Sequence, residues 1–297
     1  MIGWFRRGPL AATLILAACA TSQSPIAVPV PTIVRPVEHV NRGDVAFQGA
    51  LTQGAMLLGT APVGTAKVML DGKPVAIDAN RRFVIGFGRD AAPTATMTLV
   101  FADGAISDKT LRIAPRIWKI ESIPSLVQTS KPDPEYERIR SAELAQIRAA
   151  RAQHNISDGW QQRFMWPATG RISGVYGSQR ILGGVPRNPH AGVDVARPAG
   201  TPVVAPADGV VVLAAARPFS LEGNLLIIDH GMGVNSAFLH LSRIDVTLGQ
   251  RITRGQLVGA IGKTGRATGP HLHWAMNWGD VRLDPQLLVP PMVVGEQ

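Results

Sequence analysis

The chain has 297 residues, 45% of them apolar and only 5% aromatic, and a formal charge of +9. Its length provides for about two folded units with connecting segments, and 31 Gly with 23 Pro favour turn-rich β structure over a helical bundle. No stripe of Lys and Arg alternates with stacking rings, so the composition carries no nucleic-acid signature; the basic balance fits ordinary solubility or a polyanionic surface.

Met1 to Arg7 is a short basic stretch, followed by an apolar run from Leu10 to Ala18. That run has the length of a signal-peptide core and falls well short of the roughly 20 residues of a spanning helix. It ends in Leu16-Ala17-Ala18-Cys19, which resembles the lipobox of bacterial lipoproteins. Cys19 is the one cysteine of the chain and has no disulfide partner within it. Ala18-Cys19-Ala20 also offers an ordinary secretory cleavage site. Residues 1–19 are therefore expected to be a signal peptide with a lipobox, and losing Arg6 and Arg7 brings the charge to about +7. The expected location is the cell envelope: periplasmic, anchored in the outer membrane through lipidated Cys19. Ala20, which is not aspartate, fits outer-membrane sorting.

Residues 20–40 carry Pro25, Pro29, Pro31 and Pro36 and almost no charge, the composition of a semi-rigid tether. From residue 41 to 118 the signals are strand and turn. Asp71-Gly72 and Ala102-Asp103-Gly104 are hairpin turns. Ala66–Leu70, Arg82–Ile85, Thr96–Phe101 and Thr110–Ile113 read as strands. About seven short strands in some 80 residues predict a small β-sandwich of immunoglobulin type, with the role of a spacer or binding module.

Asp133-Pro134 sets an N-cap aspartate before a proline at the first helical position, which predicts a helical linker over residues 130–156. Tyr136, Ile139, Leu144 and Ile147 recur at helical spacing and are read as its packing face. His154 in the fading stretch and His39 in the tether are read as surface residues.

Residues 160–290 return to apolar runs bounded by Gly, Pro and Asp, such as Gly209–Leu213, Leu225–Asp229 and Leu257–Ile261. Here four histidines and one aspartate fall into three clusters: His190-Ala-Gly-Val-Asp194, Phe238-Leu-His240-Leu241 and Gly269-Pro-His271-Leu-His273. Zinc catalysis takes about three imidazole or carboxylate ligands, an open position for water, and separate acid–base groups. His271 and His273 are two apart, so a strand turns both rings to one face while Leu272 turns to the other. Pro270 places that pair at a strand start. His190 and Asp194 are four positions apart, an even separation that can face one way in extended chain, and Gly192 between them is read as clearing space for a metal. His230 lies in a glycine turn and is read as structural.

Together with Gly200-Thr-Pro-Val-x-Ala205, Gly223-Asn224 and Thr268-Gly-Pro-His-Leu-His273, these clusters resemble the lysostaphin/LytM-type zinc metallopeptidases that cut peptidoglycan cross-bridges or stem peptides. The likeness runs from about Gly170 to Leu287, roughly 40% of the chain. It implies Zn2+ held by His190, Asp194 and His273, with His240 and His271 as catalytic histidines that do not ligate. It also implies an antiparallel sheet forming an open groove with zinc on its floor. His271 is the expected acceptor of the water's proton and His240 the stabiliser of the oxyanion or donor to the leaving amine; the sequence leaves the division of these steps open. Thr268 and Asn224 are candidate loop-shaping residues. Several family members carry a tyrosine on the loop before the first ligand; residues 178–189 have none, and Arg180, Arg187 or His240 is expected to serve instead. Phe238 and Val234 also stand where tyrosine is common. The expected function is a zinc endopeptidase acting on peptidoglycan peptides in cell-wall remodelling. The alternative is a non-catalytic wall-binding regulator of another hydrolase, and a third possibility is an enzyme held inactive by its own N-terminal region or helix. The sequence does not set the oligomeric state.

Overall fold

The computed structural model describes residues 41–124 and 133–292. The expected signal peptide, lipidated Cys19, the tether with His39, and the first residues of the helical segment lie outside the described residues.

The N-terminal part comprises seven strands: β1 (Ala46–Gln48), β2 (Met56–Thr60), β3 (Thr65–Leu70), β4 (Lys73–Val75), β5 (Arg82–Gly86), β6 (Thr94–Phe101) and β7 (Ile106–Arg112). They form two antiparallel sheets, ordered β1-β2-β5 and β4-β3-β6-β7. Along β6 every second residue is buried, so Ala95, Met97, Leu99 and Phe101 meet Leu57, Phe83 and Ile85 of the other sheet. Asp71 and Gly72 join β3 to β4 with φ of 48° and 74°, both left-handed as a two-residue hairpin turn of the favoured twist requires. In the constant-type immunoglobulin arrangement the fourth strand lies beside the fifth; here β4 pairs with β3 instead.

Strand β5 is buried on both faces. Phe83 and Ile85 point into the sandwich, whereas Val84 joins Met56 in a core shared with the C-terminal part. Gly86 permits that contact, since a Cβ there would stand 2.8 Å from Leu283 Cδ2.

The segment after the sandwich contains a strand absent from the sequence reading, β8 (Ile120–Ile123). The single α-helix among the described residues, α1 (Pro134–Arg151), starts as expected: the Asp133 carboxylate accepts from the Glu135 N–H at 3.0 Å, and Pro134 occupies the first turn. Its packing face keeps Ile147 of the four expected residues and loses the other three. Tyr136, Ile139 and Leu144 are exposed, and the buried residues are Glu143, Ile147 and Ala150. An ionic clamp sets this rotation: Glu143 accepts from the Ser220 N–H at 2.6 Å, from its hydroxyl at 2.5 Å and from Arg140 at 3.0 Å, while Arg140 also reaches Glu222 at 2.6 Å. Ridding Glu143 of its carboxylate orphans the half-buried Ser220 donors and leaves Arg140 to Glu222 alone, so Glu143→Ala is expected to cost about 2 kcal/mol of unfolding free energy, read from urea midpoints.

The C-terminal part contains β9 (Arg171–Gly174), β10 (Gln179–Leu182), β11 (Val185–Pro186), β12 (Val193–Ala196), β13 (Pro202–Val204), β14 (Gly209–Ala214), β15 (Asn224–Asp229), β16 (Val234–Leu241), β17 (Arg243–Ile244), β18 (Arg251–Ile252), β19 (Leu257–Ala260), β20 (His271–Trp278) and β21 (Val281–Leu283). The main sheet runs β18-β14-β15-β16-β20-β12-β9, with β21 also paired to β20, and all its pairings are antiparallel. Its two faces have different cover. Val211, Leu226, Phe238, Leu272 and Trp274 face a core with Val203 and Val258, while Val212, Leu225, Ile227, Ala237 and Ala275 lie beneath Ile147 and Ala150 of α1. Strand alternation puts His271 and His273 on the same face as Ala275. The helix and the histidine clusters thus share one face of the sheet.

Candidate metal centre and active site

Three donors converge on that face. Asp194 on β12 lies opposite His273 on the neighbouring β20, and its Oδ1 stands 2.8 Å from His273 Nδ1. His190 precedes β12 in a loop and swings back, with Nε2 3.1 Å from Asp194 Oδ1 and 3.0 Å from His273 Nδ1. Its backbone is pinned, since Gly177 N donates to His190 O at 2.9 Å and His190 N to Ser178 O at 2.8 Å. Its Nδ1 faces Val175 O at 3.1 Å, which fixes the tautomer with Nε2 turned inward. Two imidazole nitrogens and a carboxylate oxygen suit zinc, and tetrahedral ligands with ordinary zinc bond lengths stand about 3.3 Å from one another. The observed triangle is close to that size. Its His190 and Asp194 side chains remain 23% and 20% exposed, which leaves one side of the triangle open.

Two glycines make the triangle possible, and one corrects an expectation. A Cβ on Gly192 would meet the Trp274 carbonyl oxygen at 2.2 Å, so Gly192 clears the backbone of β20, not the metal position. The residue that clears the carboxylate is Gly174, at the end of β9, where a Cβ would stand 2.3 Å from Asp194 Oδ2.

The electrostatics follow from this packing. Burial works to raise the Asp194 pKa, but hydrogen bonds from His190 and His273 hold it well below the usual carboxylate range. Burial pulls the His190 pKa down and Asp194 outweighs it, for a net rise, whereas for His273 burial wins and the pKa falls.

The other two histidines flank the triangle without closing it. His271 Nε2 lies 3.8 Å from Asp194 Oδ1, and its Nδ1 is held by Gly269 O at 2.9 Å. The His240 ring sits 4.8 Å from that of His271, centroid to centroid. Three residues of β16 there span what two of β15 span, and His240 takes φ of 63° in this bulge. A bulge of this kind re-aims a side chain. His240 Nδ1 is held by Thr264 O at 2.8 Å, and burial pushes its pKa down to about 4. Each ring therefore keeps Nδ1 on a backbone carbonyl and leaves Nε2 available.

Sequence reasoning missed Thr264. Its hydroxyl donates to Leu241 O and accepts from Asn224 N, both at 2.9 Å, and Asn224 Nδ2 donates to Leu241 O at 2.8 Å. Asn224 shapes the loop as expected, whereas Thr268 is exposed. The loop before His190 is a hairpin, β10–β11, joined in parallel to β8. Arg180 pairs with Glu121 at 3.1 Å on its surface, and Tyr176 is buried with its hydroxyl donating to Arg282 O at 2.8 Å.

His230 is structural. It lies buried between Asp208 O and Ser236 Oγ, each at 2.7 Å, on the face opposite the triangle, and burial pushes its pKa down to about 4. The unfolded imidazole takes a proton near pH 6.5 while the folded one refuses it, so this contribution is complete above about pH 6.5 and is lost as pH falls towards 4. Denaturant titrations should show a loss of about 3 kcal/mol over that window from this group, and His230→Asn should flatten the profile by that amount.

Residues 188–285 match the model of peptidase family M23. That segment contains all five clustered residues, His190, Asp194, His240, His271 and His273. Peptidoglycan DD-endopeptidase ShyA of Vibrio cholerae is 43% identical over 121 residues, 41% of this chain and 24% of that protein. The cell division protein DipM of Caulobacter vibrioides is 30% identical over 151 residues, 51% of this chain and 24% of that protein. The chain thus spans about a quarter of the length of these relatives. A crystal structure of a putative peptidase M23 from Pseudomonas aeruginosa superimposes with a TM-score of 0.61 at 29% identity, over 80% of this chain and 94% of that one. That coverage extends well beyond the M23 segment.

Proposed function

We propose that the protein is a zinc metalloendopeptidase of the cell envelope that hydrolyses peptide bonds in peptidoglycan stem peptides or cross-links. The observation that carries this reading is the convergence of His190, Asp194 and His273 on one open-sided point with two further histidines beside it. The relatives support the substrate class, and the intact ligand set speaks against the non-catalytic alternative. In this reading residues 160–290 are the peptidase domain, residues 41–118 a spacer, residues 130–156 a helical linker, and lipidated Cys19 with the 20–40 tether holds the chain at the outer membrane.

Bound at the triangle, zinc would acidify a water and polarise the scissile carbonyl. His271, with its Nδ1–H on Gly269 O, presents Nε2 to take the water's proton. His240 starts neutral, its Nδ1–H engaged by Thr264 O, so its Nε2 donates only after gaining a proton. Charge developing on substrate oxygen favours that gain, and His240 then stabilises the oxyanion or passes the proton to the leaving amine. The α1 helix covers the neighbouring Ala237 and Ala275 and keeps water from that part of the sheet face.

The test is digestion of purified sacculi with product masses read by mass spectrometry. The full chain with one equivalent of zinc should release peptides ending at a new carboxylate; chelation should stop release and added zinc restore it. Zinc binding without release of any peptide would overturn the assignment.

A further inference from the structure

Beside the metal triangle lies a cavity of about 390 Å³ to which both halves of the described chain contribute. The loop Gly88–Ala91 after β5 supplies part of its lining, Pro189 to Ala191 another part, and Asp280 with Val281 and Arg282 of β21 a third. His190 belongs to both the triangle and this lining, so a peptide held at the metal reaches the cavity within about two residues. The M23 match begins at residue 188, so the Gly88–Ala91 contribution comes from outside the matched segment.

The cavity is built in advance. Arg89 Nε donates to Gly177 O at 2.8 Å, Nη2 to Gln179 Oε1 at 3.2 Å and Nη1 to Asp90 at 2.5 Å, while its guanidinium lies 5.4 Å from the Trp118 ring centroid. The Tyr176 hydroxyl fixes the opposite strand, β21, through Arg282 O at 2.8 Å. A preformed pocket loses little freedom on binding. Arg89 is thereby committed to the fold, but Arg282 is not. Arg282 is an exposed residue of the lining, and its guanidinium has no hydrogen-bond or carboxylate partner among the described residues. Half-buried Arg151 at the end of α1 lies close enough that, after burial, the charge of Arg282 is the next influence lowering its pKa, with Asp280 opposing. Arg151 is not part of the lining, so Arg282 is the cation left for a ligand there. The remaining lining, Ala91, Pro189, Ala191 and Val281, is small and apolar. Asp280 and Asp90 are exposed carboxylates in the same lining, and they disfavour a ligand with several negative charges.

We propose that this cavity is a substrate subsite that seats an aliphatic amino-acid residue bearing a free carboxylate, with Arg282 taking the carboxylate. It rests on the peptidase reading and adds a specificity residue to it. The sandwich loop is then part of the binding surface instead of a spacer alone, which explains why Arg89 ties it to the loop before His190.

The test uses zinc-free full chain and two soluble stem peptides identical except that one ends in a free carboxylate and the other in its amide, titrated calorimetrically. The free acid should bind about tenfold more tightly, as a charge-assisted bond to a guanidinium provides. Arg282→Ala should bring that ratio to about one, and Ala91→Trp, which fills the cavity, should weaken both peptides without lowering the melting temperature. Equal affinity for acid and amide in the unaltered chain, or a ratio that survives Arg282→Ala, would overturn the subsite. A zinc-loaded chain that digests sacculi without this preference loses the subsite and keeps the peptidase. One that shows the preference and digests nothing keeps the carboxylate site and loses the peptidase.

Discussion

His271→Ala is expected to keep one zinc per chain and to lose cleavage by about a thousandfold, whereas His273→Ala is expected to lose the metal itself. The two residues share a strand face and are two positions apart, yet the structure gives them different work. His273 Nδ1 is 2.8 Å from Asp194 Oδ1 and 3.0 Å from His190 Nε2, inside the donor triangle. His271 Nε2 stands back at 3.8 Å from the same oxygen, with its other nitrogen on Gly269 O. Removing a positioned acid–base group costs about 10² to 10⁴ in rate; removing one of three ligands leaves one carboxylate and one imidazole to hold the ion. Metal content by atomic absorption and peptide release from sacculi separate the two cases. Full turnover in His271→Ala, or undiminished zinc in His273→Ala, would refute the division of labour.

The parts of this site that were legible in the sequence are those set by local periodicity. The i, i+2 facing of His271 and His273 needs only a strand, and Pro270 marks where the strand begins. Asp71-Gly72 declared its turn, and Asp133-Pro134 its helix start, through the backbone angles those residues favour. What stayed hidden depends on residues distant in the chain. The face that α1 buries is chosen by Arg140 and Glu143 meeting Ser220 and Glu222, so apolar spacing pointed to Tyr136 and Leu144, which are exposed. Strand β8 exists because β10 offers it an edge, and its own sequence, Ile-Glu-Ser-Ile, is too short to announce it. His240 reaches the site through a left-handed residue in a bulge, a conformation the sequence Leu-His-Leu gives no hint of. Thr264 could have been suspected from the glycine-rich run it opens, yet its carbonyl, not its side chain, holds His240.

Gly174→Ala is expected to weaken zinc binding by about tenfold to a hundredfold while leaving the zinc-free fold intact. Gly174 has no positive φ, so alanine meets no backbone objection and the whole effect arises from one methyl group. That methyl would stand 2.3 Å from Asp194 Oδ2, 2.9 Å from its Cγ and 3.1 Å from His190 Cε1. The backbone of Asp194 has nowhere to go, because β12 is paired with β20 on one side and β9 on the other. The carboxylate must turn instead, taking Oδ1 out of the donor triangle, and disturbing what orients a ligand typically costs this much affinity. Gly269→Ala is the matched control: a Cβ there meets nothing within 4 Å, although Gly269 O carries His271. Competition with a chromophoric chelator measures affinity, and thermal melting without zinc checks the fold. Equal zinc affinity in the two variants would mean that the Asp194 carboxylate has room the structure does not show, and would remove Gly174 from the metal centre.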